Sequence, residues 1–407
     1  MRRIGAIALA GVLLLSLTGC NQAVPLPKIT EPRKSTKIGK LGKTEMFLHT
    51  TKVYDPKTVD YAKLNGEPSQ NHYFVPVKDE GIKDRVYPSY DAKTFKFLAL
   101  PTAAIPPQDY YMFQKSGGTL GKALAGTGYK AADIIDTGHI KILPNLYVGY
   151  YDFAWVPLSV MTEYWSGNES MSPELWKQGD DYVIIGSSTD GDSSLLTPPS
   201  VTDVKQLAGK SIGIMNVSFS TEMLLNKTLG KVGLATVGAG GNVRVEMGTP
   251  GFVMNDMIRG NLAGGFAWSV YTKALMKNHG YKELVPWADL GYGPKLTNVV
   301  LVVRRDILEK HPDIVAKVAA LNREGTDQAI SAGDYAKPLA ARYQKWNDTY
   351  LGDGRRISDL GVPNLDPDVN ATYLHDVYDY MTECGYFKSP YPFEKLVNLS
   401  YENAPAN

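Results

Sequence analysis

Residues 203–215 read DVKQLAGKSIGIM. Asp203 to Leu207 has room for one turn of helix, Gly209 and Lys210 break it, and Ser211 to Met215 is a short apolar run of the kind that forms a buried strand. The next five residues, Asn216 to Ser220, are a polar loop that leads into a helix with Met223, Leu224, Leu225 and Leu229 on its inward side. A strand passing through a short loop into an amphipathic helix is a βα unit. Working outward, Val243 to Met247 reads as a strand, Phe252 to Ile258 as a helix, Gly264 to Trp268 and Asn298 to Val303 as strands. Upstream, Phe95 to Leu100 is closed by Pro101 and reads as a strand, as do Ile140 to Val148 and Tyr182 to Ile185. Pro312 opens a helix where its missing N–H costs nothing, with Ile314, Val315, Val318 and Leu321 on one face, and helices are expected to dominate from there. Strands alternating with helices predict an α/β fold.

The N-terminus concerns location. Arg2 and Arg3 precede an apolar run from Ala6 to Leu17, and the run stops at Leu17, Thr18, Gly19, Cys20. The run is shorter than the roughly 20 apolar residues that span a bilayer. It has the plan of a secretory signal, and a cysteine after the small pair resembles the bacterial lipoprotein acceptor, with residues 1–19 removed and Cys20 lipidated. Residues 20–43, rich in Pro, Lys, Thr and Gly, read as a solvated tether, and residues 44–94 as an irregular extension packed on the body.

A chain of 407 residues exceeds the size at which a single core stops growing, so two lobes are expected. The net charge of +1 offers no basic field for nucleic acid. With Cys20 lipidated, Cys384 has no disulfide partner. The histidines, His49, His72, His139, His279, His311 and His375, stand singly with no ligand spacing, so no metal site or cofactor is indicated. HExxH, GxSxG and Walker patterns are missing, and Gly238 to Gly241 lacks the dinucleotide-binding spacing. Asp152 and Glu222 are the carboxylates that an acid/base reading would pair across a crevice.

Phe153, Ala154, Trp155 is echoed by Phe266, Ala267, Trp268, each placed where a strand meets a helix. In open α/β sheets ligands bind outside the carboxyl ends of the strands, so two lobes of similar plan would each offer a tryptophan to a shared crevice. Either tryptophan can equally be core. Ser218, Ser220 and Thr221 stand at the start of a helix, where backbone N–H groups and the macrodipole suit an anionic head. Their other reading is an N-cap, worth about 1 kcal/mol. Thr102, in the loop after the first strand, is the matching donor on the other lobe or part of a proline-rich turn. Ser187, Ser188, Thr189 and Asp190 are crevice donors or simple loop. Twenty-five tyrosines favour a heterocyclic or aromatic solute over a small inorganic anion.

Asp203 to Ile214 resembles the DLKGKKIGV segment of the solute-binding proteins of ABC importers, in the branch of nitrate, sulfonate, taurine and thiamine-precursor binders. Ser218 to Thr221 is similar to that branch's polar loop and helix start, Gly260 to Tyr271 to its tryptophan-bearing segment, and Val299 to Val315 to its return strand and helix. The resemblance covers roughly residues 95–335. It departs at residues 44–94, which have no counterpart, and at Gly264, where many relatives carry Asp. It implies a two-lobed periplasmic-binding fold of type 2, with residues 95–197 and 299–407 as one lobe and 198–298 as the other, hinged at two crossings. It further implies a monomeric lipoprotein that captures a small organic solute and delivers it to an ABC permease and its ATPase, with no catalytic residue. The rivals are an exported enzyme acting on a small molecule and a lipoprotein that presents its ligand to a membrane receptor.

Overall fold

The computed structural model describes residues 34–41, 43–50, 90–99, 112, 119–135, 139–166, 181–191, 194–215, 219–248, 250–267, 275–277, 279–293, 295–332, 364–387 and 391–402. The chain divides into Met1–Pro32 and Arg33–Asn407, and every described element belongs to the second unit. No helix among the described residues is long and apolar enough to cross a membrane.

Strands β1 (Lys34–Leu41) and β2 (Thr44–Thr50) form an antiparallel hairpin. This differs from the expected spacer and irregular extension. β1 lies at the edge of a sheet, where a strand needs no buried face and lysines are favoured, so KSTKIGKL carries no alternating signal. After the hairpin come β3 (Thr94–Ala99), helix α1 (Thr119–Leu124), β4 (Lys130–Ile135), α2 (His139–Tyr147), β5 (Phe153–Pro157) and α3 (Leu158–Ser166). The α2 segment corrects the strand expected over Ile140 to Val148. Ile142, Leu143, Leu146 and Tyr147 are all buried, and that i, i+1, i+4, i+5 spacing is one face of a helix.

Strand β6 (Tyr182–Asp190) is followed by β7 (Ser194–Thr197), a 3₁₀ turn at Val204–Leu207, β8 (Ser211–Met215) and α4 (Phe219–Gly230). Asp203 caps the 3₁₀ turn, accepting from Lys205 N while the Gln206 side chain reaches back. Then follow β9 (Arg244–Gly248), α5 (Pro250–Ile258), β10 (Gly265–Ala267), β11 (Lys282–Val285) and β12 (Thr297–Arg304). Helices α6 (Arg305–Lys310) and α7 (Pro312–Ala332), the short β13 (Asn364–Leu365), α8 (Ala371–Glu383) and α9 (Phe393–Leu396) complete the chain.

The strands make two sheets. One has the order β13-β6-β12-β5-β3-β4, the other β1-β2-β9-β8-β10-β7-β11. β8 pairs in parallel with both β9 and β10, as the βα reading requires. Gly264 explains its own departure from the resemblance: a Cβ there would lie 2.6 Å from the carbonyl oxygen of Leu196 on β7.

The six-stranded sheet is apolar on both faces, which is why its strands read as continuous hydrophobic runs. Phe97, Phe153, Trp155, Val299, Leu301 and Val303 pack against Ile314, Val315, Val318 and Leu321 of α7. The alternate residues Leu98, Ala154, Val156, Val300 and Val302 face a second core that takes in Met223, Leu224 and Leu225 of α4 and Tyr373, Leu374 and Val377 of α8. Helix α8 thus packs on a helix that follows a strand of the other sheet, and this positions the site.

Candidate functional site at the sheet crossing

The chain leaves the six-stranded sheet after Asp190, enters the other at Ser194, and returns between Val285 and Thr297. Both passages are fastened by short-range polar contacts. Gly191 N donates to Leu296 O at 2.6 Å. Ser194 Oγ donates to Glu283 Oε1 at 2.6 Å and accepts from Trp287 N at 3.1 Å. Gly191 has φ +60°, and a Cβ there would stand 3.0 Å from the indole ring of Trp287, so only glycine fits.

Asp190 lies at the carboxyl end of β6, opposite Thr297 of β12 on one side and Asn364 of β13 on the other. It is 4 % exposed, and its Oδ1 has no hydrogen-bond partner among the described residues. Burial, with the charge of Asp366 adding to it, pushes its pKa up to about 7, against the backbone N–H groups of Leu296 and Gly191 and the charge of Lys295.

Helix α8 closes the same space from above. Asn370 caps it, accepting from Tyr373 N at 3.0 Å while its own N–H donates to Thr297 Oγ1 at 2.9 Å and its Nδ2 to Lys295 O at 2.7 Å. The cap sets the entry of the helix directly over the returning strand. One turn on, the buried Tyr373 hydrogen-bonds with the Ser220 hydroxyl at the start of α4, and Asp190 is near enough for its charge to act on the phenol. Burial and Asp190 both hold Tyr373 in its neutral form. The Tyr292 ring lies 4.8 Å from that of Tyr373, and its hydroxyl donates to Asp376 Oδ2 at 2.7 Å. Lys295 Nζ contacts Asp366 at 3.1 Å and Asp368 at 3.0 Å. Burial works against the charged Lys295, but these carboxylates outweigh it and its pKa is raised.

Tyr373 therefore brings together two of the expected polar groups, the start of α4 and the end of β6. Ser220 and Thr221 are buried in the first turn of α4. Ser187 to Asp190, read as crevice donors or loop, all belong to β6 and are buried. Ser187 Oγ donates to Val299 O at 3.2 Å. Trp155 is fully buried in the centre of the six-stranded sheet, its Nε1 donating to Asn322 Oδ1 at 2.9 Å, while Asn322 Nδ2 donates to Ser187 O at 2.7 Å. Thr102, Ser218, Trp268 and Cys20 lie outside the described residues.

The Asp152 and Glu222 carboxylates belong to separate networks. Asp152 is held by Lys96, through N at 2.7 Å and Nζ at 3.0 Å, and by Arg304 Nη1 at 2.9 Å. Glu222 accepts from Thr44 Oγ1 at 2.6 Å, from Lys43 N at 3.2 Å, and from Asn226 and the Tyr380 hydroxyl. Burial raises the Glu222 pKa against those donors. Among the described residues no group of His, Cys, Asp and Glu could hold a metal ion.

Tyr373, Tyr292, Lys295 and Trp287 were not singled out by sequence reasoning. The single available signal was Asn370 ahead of an apolar-periodic run, a helix-start mark that says nothing about what the helix covers.

No family profile and no curated protein matches the chain. Solved structures do. The periplasmic aliphatic sulphonate binding protein SsuA of Escherichia coli superposes with a TM-score of 0.56 at 15% identity, covering 76% of this chain and 92% of that one. The ligand binding component of an ABC-type import system from Staphylococcus aureus, with zinc bound, gives 0.55 at 13%, covering 77% and 100%. The alkanesulfonate-binding protein SsuA of Xanthomonas axonopodis pv. citri, bound to MOPS, gives 0.52 at 14%, again covering 77% and 100%. At these identities the likeness is one of architecture. The chain has the two-lobed α/β fold of the periplasmic substrate-binding proteins, with its crossing at Asp190 and Thr297.

Proposed function

We propose that this protein is the solute-binding component of an ABC importer, working outside the cytoplasm as a monomer held to the membrane by lipid on Cys20. One lobe is built on each sheet, the lobes close on a small organic solute at the crossing, and the loaded protein delivers it to a permease and its ATPase. The proposal takes the expected division into residues 95–197 with 299–407 and 198–298 with one change: β7 (Ser194–Thr197) moves to the second lobe, with whose strands it pairs. The observation that carries it is the meeting of Asp190, Tyr373 and Ser220, which brings the end of β6 together with helix α8 and with the start of α4, the helix that follows β8 of the other sheet. Hinge closure about such a point is what a fold of this plan does. The fold likeness to three binding proteins supports the reading.

The test is a thermal-shift screen of small organic solutes. A ligand of the native state adds RT ln(1 + [L]/Kd), about 2.7 kcal/mol at a hundredfold excess over Kd. The stabilising compound should be recovered unchanged, and scattering should record a more compact protein when it is bound. Chemical conversion of the compound by the purified protein would overturn the proposal.

A further inference from the structure

Among the buried carboxyl groups, Asp152, Glu222 and Asp190 stand in contrasting surroundings. Asp152 is satisfied by Lys96 and Arg304, and Glu222 by Thr44, Lys43, Asn226 and Tyr380. These are structural acids, with donors on every side. Asp190 is as deeply buried, yet Oδ1 is left without a partner among the described residues. An orphaned carboxyl oxygen is costly, typically 1–3 kcal/mol or more for a charged group, and such a cost persists where a site is waiting for a donor.

The surroundings define that donor. Lys295, the cation nearest in effect, is already held by Asp366 and Asp368. Among the described residues no basic side chain forms an ion pair with Asp190. Asp366 adds a second negative charge, and Tyr373 is kept neutral by burial. A sulfonate or carboxylate placed here would bring acceptors to an acceptor, with Asp190 and Asp366 beside it and, among the described residues, no uncommitted cation to offset them.

Resting on the solute-binding reading, we infer that Asp190 selects the ligand: the solute presents a cationic nitrogen bearing N–H donors, such as an amine, amidine or protonated aminoheterocycle, to Asp190 Oδ1. The Tyr373 and Ser220 hydroxyls then serve the neutral part of the same molecule. The groups that face the Asp190 carboxyl are Asp366, Lys295, Tyr373 and the backbone N–H groups of Gly191 and Leu296. Asp190 ionises as pH rises through about 7, and binding of the cation strengthens with it.

The experiment titrates the full chain, by calorimetry at pH 5.5 and pH 8, with benzamidine, agmatine and 2-aminopyridine as one set and benzenesulfonate, butanesulfonate and benzoate as the other. The expected result is binding within the nitrogen set alone, at least tenfold tighter at pH 8 for benzamidine and agmatine, which stay charged at both pH values. Asp190→Asn should lose at least tenfold in affinity for these and lose the pH dependence, and the wild-type pH dependence stands as an independent readout if that variant does not fold. Binding of the sulfonates instead would overturn the inference while leaving the solute-binding reading intact. Equal affinity of Asp190→Asn for the nitrogen set, or no binding of either set, overturns it as well. Conversion of any probe would overturn the solute-binding reading itself.

Discussion

Asp190→Asn should make the protein more stable above neutral pH and leave it nearly unchanged in acid. The native pKa of about 7 stands some three units above the ordinary Asp value of about 3.9. A group whose pKa is raised on folding binds its proton more tightly in the native state, so stability is highest below the unfolded pKa and falls as pH climbs toward the folded one. At about 1.4 kcal/mol per unit, the carboxyl costs the fold on the order of 4 kcal/mol by pH 8. Asparagine keeps the shape and an oxygen to accept from Gly191 and Leu296, but carries no charge to bury. The measurement is urea unfolding followed by tryptophan fluorescence at intervals from pH 4.5 to 8, for wild type and variant. Glu222 and Glu402 also have raised pKa values and tilt both curves equally, so the difference between them isolates Asp190. That difference should grow from near zero to about 4 kcal/mol, most steeply between pH 5 and 7. Parallel curves would refute the assignment of a buried, unsatisfied carboxyl at the crossing.

Trp155→Ala should cost roughly 3 to 5 kcal/mol of unfolding free energy, because it empties a fully buried indole from the centre of a sheet. Asn322→Ala tests the same place more gently, leaving the indole N–H unpaired at a cost of about 1–3 kcal/mol in the same urea titration. Glu222→Ala strips the shared acceptor from Thr44, Asn226 and Tyr380, and should cost about 3 kcal/mol while exposing the hairpin around Lys43 to trypsin. Cys20→Ser should abolish lipid labelling and membrane retention, and labelled protein from that variant would remove the anchor from the proposal.

How much was legible follows from where each signal lay along the chain. The βα unit at Ser211–Gly230 could be read because its determinants are local: an apolar run, a break at Gly209, and leucines at helical spacing. The α2 segment misleads because its dense run of apolar residues satisfies either period until burial is counted by position. The β1–β2 hairpin was hidden because β2 finds its inner partner, β9, some two hundred residues away, while β1 lies at an edge that imposes no pattern. For the site, sequence marked Ser220, Thr221 and the end of β6, since helix starts and strand ends are local features. It could not show that Tyr373 joins them, because that contact depends on how α8 docks, and it could not separate Asp190 from its polar neighbours, because an orphaned oxygen is defined by what fails to surround it.

The Glu222 network has a consequence for biosynthesis. Its acceptor oxygens draw on Thr44, 178 positions earlier, and on Tyr380, 158 positions later. While the chain is being made, the α4 segment can emerge, and even turn helical, with this carboxyl still facing water. Only when the α8 segment has cleared the ribosome does the Tyr380 donor arrive, after nearly the whole chain. Pairings of such sequence separation are slow to form. Until that moment the nascent protein remains unlatched, which is the loosely folded condition a chain needs if it is to be threaded across a membrane before it sets.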